Sequence, residues 1–256
     1  MRAIITSAIV QMKQSIARPM FRFCVFLGPI FAGFLLGMIY KNKSISDFTL
    51  YAFLGSGMTT FWSSICFSSA SDIDREKWVG TLPILFTAPI GFKTIVLGKI
   101  LGNTIWGVVS FFISMFVVGV VFALPIKFVN IPYLILIILL TILSMVALAL
   151  ILSGLFTISR KIRILMNFIE YPMTILSGMV FPISILPQPL QWLSMILSPS
   201  WAMKGFELAI NGGKSAEMIQ NTLGLSIITV IYFVLSYYIF ERIDALCRIN
   251  ASLEVF

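Results

Sequence analysis

The chain has 256 residues, 59% of them hydrophobic and only 11% charged, with a formal net charge of +8 and no histidine. A soluble domain carries about a quarter charged residues, and a globule of this size cannot enclose so much apolar surface in one water-bathed core, so an ordinary soluble protein is excluded. The missing histidine excludes His-based zinc sites, Ser-His and Cys-His nucleophile pairs and imidazole proton relays.

In residues 1–20, Ile5, Ile9, Met12 and Ile16 fall at helical spacing, with Gln11, Gln14 and Arg18 on another face. This reads as an amphipathic helix lying in the inner membrane interface. It does not read as a cleavable signal, because Lys13 and Arg18 interrupt any apolar core. Pro19 opens a first span, 22–40, whose Gly28, Gly33 and Gly37 present a small-residue face to another helix or to a second subunit. The loop "KNKSISD" leads to a second span, 48–71, rich in Ser and Thr in its inner half. Those hydroxyls either bond neighbouring backbone or line a polar path.

Residues 74–90, "DREKWVGTLPILFTAPI", set four consecutive charges and a Gly-Thr-Leu-Pro turn between two apolar runs. Gly80 breaks the preceding helix, Thr81 is placed to cap a new one, and Pro83 falls in its first turn, where proline is accepted. The new helix, 82–88, turns Leu82, Leu85, Phe86 and Pro89 toward something apolar. Either it docks into a groove of a soluble partner or the segment 72–93 is an ordinary interfacial loop.

A third span, 94–124, ends at Pro125 and Lys127, and a fourth, 131–158, is anchored by "SRKIR". Residues 164–203 then hold one charge, Glu170, and the prolines Pro172, Pro182, Pro187, Pro189 and Pro199. As one helix this stretch would reach about 60 Å, twice the hydrocarbon core, and interior prolines break helices. The reading that fits is a span, 164–181, followed by a short helix dipping back into the outer leaflet within 182–212, with Trp192 and Trp201 as interfacial anchors. The alternative is a hydrophobic surface loop. A sixth span, 218–240, follows. The fold class expected is therefore an all-α integral membrane protein with six transmembrane helices. With the N-terminus inside, thirteen Lys and Arg fall in inner segments and five in outer ones, which places both termini in the cytoplasm. The basic charge is topology information, and no nucleic-acid partner is expected.

Chemistry is sparse. Cys24 and Cys66 fall inside spans and Cys247 in the tail, so no disulfide framework is expected. Glu170, an acid within a span, belongs to a proton path or a substrate contact, or else pairs with a basic residue; with Asn167 it is the candidate for ion coupling. "NGGKS" has Leu208 where a phosphate-binding loop needs its first glycine. The chain is expected to hold no ATP site, no metal and no catalytic residue of its own.

Two motifs resemble the membrane subunits of ABC-2 type transporters, a family that includes drug, polysaccharide and lipid exporters. Glu76, Lys77, Gly80, Thr81 and Leu82 match a cytoplasmic turn that in the family commonly reads Glu-Arg-x-x-Gly-Thr-Leu-Glu before a Leu-rich helix, and "TAPI" is similar to that helix's end. Pro83 stands where the family often has an acid. Ser177, Gly178, Phe181, Pro182, Leu186, Pro187 and Pro199 match the family's Ser-Gly-x-x-Phe-Pro, Leu-Pro and later proline before the last span. The resemblance covers essentially the whole chain as one transmembrane domain, 1–256.

What the resemblance implies is a type V, ABCG-like exporter in a bacterial cell membrane: a homodimer of such subunits with two copies of a separate ATPase subunit, which binds ATP and Mg. The substrate implied is amphipathic or hydrophobic, such as a drug, antimicrobial peptide, lipid or glycan-lipid. ATPase coupling falls to Asp74, Arg75, Glu76, Lys77, Gly80, Thr81, Leu82, Leu85 and Phe86. The outer gate falls to Phe181, Pro182, Leu186, Pro187, Trp192 and Pro199, and a substrate path to Phe61, Trp62, Met166, Asn167, Phe168, Glu170 and Met173. The rival is an ion-coupled secondary transporter built on Glu170.

Overall fold

Uncharged runs of Leu, Ile, Val and Phe can satisfy their backbone in hydrocarbon as helices. In the computed structural model, which describes residues 2–87, 91–123 and 128–250, every regular element is helical. Helix α1 is Arg2–Ala17 and α2 is Pro19–Tyr40, with a π-helical stretch at Phe23–Leu27. Helix α3 covers residues 45–79 through Ile45–Asp47, a π-helical Phe48–Gly55 and Ser56–Val79. Then come α4 (Leu82–Thr87), α5 (Phe92–Phe122), α6 (Ile131–Ile158) and α7 (Ile162–Leu176). A 3-10 turn at Ile183–Ile185 precedes α8 (Gln188–Ile196), α9 (Ser198–Asn211) and α10 (Ser215–Asn250).

Among the described residues, four helices are long and apolar enough to cross a bilayer: α2, α5, α6 and the Ser215–Ile243 part of α10. Their outward faces expose Phe31, Leu35, Phe116, Val120, Leu139 and Ile227. A belt of that kind suits hydrocarbon and would be a liability in water. The remaining two expected spans differ in kind. Helix α3 is long but polar, and its solvent is protein: it packs on α2, α5, α6 and α7, with Phe61, Trp62, Ser64, Ile65 and Ser68 all buried. Its hydroxyls turn back on the helix, Thr59 donating to Gly55 O at 2.8 Å and Ser68 to Ile65 O at 3.1 Å, while Ser56 accepts from Ser114 Oγ at 2.9 Å. Packing is thus the role these hydroxyls show. Helix α7 has only 15 residues, about 22 Å, shorter than a hydrocarbon core of about 30 Å.

The small-residue face of α2 meets a helix of the same chain. A Cβ added at Gly33 would press on Ser114 and Val118, and one at Gly37 on the Phe122 ring, all on α5. A second close approach was not read from the sequence. Gly98 and Gly102, four residues apart on α5, lie against Ile4, Ser7 and Ala8 of α1, a small-xxx-small groove that lets the two backbones touch.

That groove seats part of the polar face of α1 on protein. Gln11 and Ser15 are 2% and 0% exposed, whereas Ile5 and Ile9 are 58% and 49% exposed. Met12 and Ile16 are half-buried, and Gln14 is exposed. Gln11 and Ser15 turn inward to a set of partners on α3 and α5, described below.

After α7 the chain does not make a single dipping helix. Prolines partition it: Pro189 lies in the first turn of α8 and Pro199 in the first turn of α9, positions where a missing N–H costs nothing. The side chains that close this end are neutral. Tyr40 Oη donates to Val180 O at 2.8 Å, Tyr232 Oη to Ile196 O at 2.8 Å, and Asn221 Nδ2 to Trp201 O at 3.2 Å. The "NGGKS" stretch is the C-terminal end of α9, where Gly212 at φ 73° directs its N–H, like that of Gly213, to Leu208 O. The outer turn at Pro125 and Lys127, and "TAPI" beyond Thr87, lie outside the described residues, as do the side chains of Pro83, Cys247 and Arg248.

Candidate functional site at the inner end of helix α3

Asp72 and Glu76 lie four residues apart on α3, and Lys99 and Asn103 four apart on α5, so each pair shares one helix face. The helices run antiparallel, and the pairs meet in register. Asn103 Nδ2 donates to Asp72 Oδ2 at 2.6 Å, and Lys99 Nζ donates to Glu76 Oε1. Helix α1 closes the ring. Gln11 Nε2 donates to Asp72 Oδ2 and Arg18 Nη2 to Asp72 Oδ1, both at 2.7 Å, while Ser15 Oγ donates to Asn103 Oδ1 at 2.8 Å. Asp72 is 8% exposed. A carboxylate so buried is tolerable because each of its oxygens is paired and hydrogen-bonded.

Below this ring the charged run reaches three further places. Lys77 Nζ donates to Phe156 O at 3.2 Å and Ser159 O at 2.7 Å, neutralising the carbonyl end of α6. Burial pushes the Lys77 ammonium below its usual range, partly opposed by Asp74. Asp74 pairs with Arg163 of α7 at 3.6 Å across an exposed surface. For Glu76, burial alone would raise the carboxyl, but the hydrogen bonds of Lys99 and Thr81, with the charges of Lys99 and Arg75, hold it below the ordinary carboxylate range.

The turn follows from Gly80. It sits in the left-handed region at φ 74°, ψ 18°, and sends its N–H to Lys77 O, while Thr81 N–H returns to Glu76 O. Leu85 N–H then bonds Thr81 O, so Thr81 is the first residue of the α4 entry. Its hydroxyl donates to the Glu76 carboxylate.

The apolar face expected of the helix after this turn meets the chain's own core. Leu82 is buried, and Leu85 and Phe86 pack against the core; Phe86 stacks on Phe92 at 4.2 Å between centroids. Glu76 and Lys77 also face inward. The residues facing out are Trp78, 91% exposed, with Val79 and Ile84. None of these three was singled out from the sequence, although Trp beside a charge run was a legible signal.

The remaining expected residues separate into groups. Phe61 and Trp62 are core, Trp62 Nε1 donating to Glu170 O at 3.2 Å. Met173 is buried and Phe168 is 74% exposed. Met166 and Asn167 line an open cavity together with Arg18 and Asp74. The Glu170 carboxyl lies in hydrogen-bonding reach of Ser63, and Arg163, earlier on α7, pairs with Asp74. Phe181, Pro182 and Leu186 are half-buried beneath the outer element, Pro199 is buried, and Pro187 and Trp192 are exposed.

No curated protein matches the chain. Residues 44–238 match the family described as ABC-2 family transporter protein, a stretch holding α3, the Gly80 turn and the proline-partitioned element. Since the match spans most of the chain, and four helices have the length and apolarity to cross a bilayer, this multi-pass membrane protein belongs to the ABC-2 transporter family.

Proposed function

We propose that the chain is the membrane-spanning permease subunit of an ATP-driven exporter, working as a homodimer with two copies of a separate ATPase subunit. That subunit binds ATP and Mg; this chain supplies no catalytic residue. Six crossings, with α3 as the inner, protein-solvated helix and α7 as a short one, put both termini and residues 72–93 in the cytoplasm. The substrate is amphipathic or hydrophobic and leaves from the cytoplasmic side, and the proline-partitioned outer element acts as the exit gate.

The observation carrying this reading is the inner end of α3. One helix end is tied to α1, α5, α6 and α7 through Asp72, Glu76, Lys77 and Asp74, while Trp78, Val79 and Ile84 beside the turn stay exposed. A push on that apolar patch is delivered to four helices at once, which is the mechanical requirement for coupling a soluble motor to a membrane path. Co-purification with the ATPase subunit tests it. Trp78→Ala weakens ATPase retention by about 30-fold, the scale of an aromatic hot spot, and abolishes ATP-dependent transport while insertion is normal. Retention and transport equal to wild type would remove the reading's support.

A further inference from the structure

A cavity of about 680 Å³ opens beside the hub, between the first turn of α2, the inner end of α3 and the first turns of α7. Its volume lies within the range of small-molecule sites. Its wall mixes charged and apolar side chains. Arg18, Asp74, Arg75 and Arg163 stand at the end where α2 and α7 begin, among the apolar Met20, Phe21, Trp78 and Ile162, and Phe67, Met166 and Asn167 lie further along their helices. Three guanidiniums face one lining carboxylate. Arg18 is committed to Asp72 by two of its nitrogens, yet its Nε–H is buried without a partner. Arg163 holds Asp74 only across an exposed 3.6 Å contact, an interaction of the kind that contributes little and opens easily. Arg75 forms no ion pair among the described residues.

We infer that this cavity is a binding site for an anionic amphiphile, its phosphate or carboxylate head on Arg75 and Arg163 and its hydrocarbon tail along Phe67 and Met166. The excess of guanidinium over carboxylate selects the sign of the head, since planar forked donors match phosphate and carboxylate oxygens. The apolar lining from Phe21 and Phe67 to Met166 selects a tail, which a small free anion lacks. Glu170, the next acid along α7, does not oppose this, because its carboxyl is turned to Ser63 and it is not part of the lining. The inference rests on the permease reading and narrows its substrate to lipids or lipid-like acids taken from the inner leaflet.

The test uses the purified full chain in neutral detergent, with native mass spectrometry counting bound molecules. Three probes separate head from tail: phosphatidylglycerol, phosphatidylcholine and inorganic phosphate. Expected is one phosphatidylglycerol per chain, bound at least fivefold more tightly than phosphatidylcholine and undisturbed by millimolar phosphate, as roughly follows for one partly exposed charge contact. Arg75→Gln and Arg163→Gln each weaken phosphatidylglycerol by about fivefold and leave phosphatidylcholine unchanged; Arg75 is exposed, so its replacement does not unfold the chain. Equal binding of the two lipids, wild-type binding by both variants, or displacement by phosphate alone overturns the inference. Failure here with ATP-dependent transport intact would leave the permease reading standing. Selective lipid binding without any ATP-dependent transport would overturn that reading and leave this site.

Discussion

The two ends of the bundle are closed by different chemistry. At the inner end, charges and amides converge from α1, α5 and the Arg18 junction on Asp72 and Glu76. At the outer end, Tyr40, Tyr232 and Asn221 donate to backbone carbonyls that the breaks around α8 and α9 leave free. Neutral donors on carbonyls hold a loop in place yet tolerate sliding, because each contact is single and worth about 1 kcal/mol. The buried ion cluster has a sharper geometry, since loss of any member strands a charge. The inner end is thus built to move as one piece, the outer end to give way contact by contact.

The comparison breaks most severely at Asp72. Asp72→Ala leaves Arg18, Gln11 and Asn103 facing an empty position, and the expected loss is about 3 kcal/mol, at the low end for a broken buried pair because the Arg18 side chain is 21% exposed. Thermal unfolding of the detergent-solubilised protein measures it, and a loss below about 1 kcal/mol would show the cluster to be solvated like any surface pair.

Next is Gly80. A Cβ there meets nothing within 4 Å, so the penalty of Gly80→Val is conformational, about 1–2 kcal/mol for a left-handed residue and worse for a β-branched one. The turn shifts and ATP hydrolysis uncouples from transport while the spans stay folded. Gly80→Asn, which tolerates this region, retains coupling; equal damage by both substitutions would point to a contact at Gly80 instead of its backbone angle.

The pH response sharpens the contrast. Glu76 is held below its usual range in the folded chain, so its stabilising contribution is present above the unfolded carboxylate pKa and is lost as pH falls through the lower folded value. Unfolding followed at a series of acidic pH values should show a drop that Glu76→Gln flattens. The smallest effect belongs to the outer end: Tyr232→Phe removes the bond to Ile196 O for about 1 kcal/mol, with no change in the acid response.

The sequence showed local matters well. The helix Ile131–Ile158 coincides with the range read from its apolar run, and the Gly80 break and the proline-led helix starts follow from backbone chemistry that needs no partner. What it concealed was rotation. Glu76 and Lys77 look like surface charges until Lys99 and the α6 carbonyls are brought beside them. Gln11 read only as part of a polar face because its partners lie 61 and 92 residues away. The spacing of Gln11, Ser15 and Arg18, and of Lys99 and Asn103, was a signal for one polar face. Nothing local says whether such a face meets water, headgroups or another helix. Leu82 and Trp78 were exchanged for the same reason, since the direction of a short helix's apolar face depends on what it lies against.

The seating of α1 on the Gly98–Gly102 groove has a consequence for how the chain is made. Helix α1 leaves the ribosome before α3 and α5, yet its polar ring is completed only when Asp72 and Asn103 have followed. Until then Gln11, Ser15 and Arg18 must be hydrated at the membrane surface, where an amphipathic helix can wait. Insertion of α2 precedes the closing of that ring, and α5 arrives to find the helix it will carry already lying beside it. A ribosome-stalled chain ending before Asn103 would therefore leave α1 open to protease, and one ending well beyond it would protect the same helix.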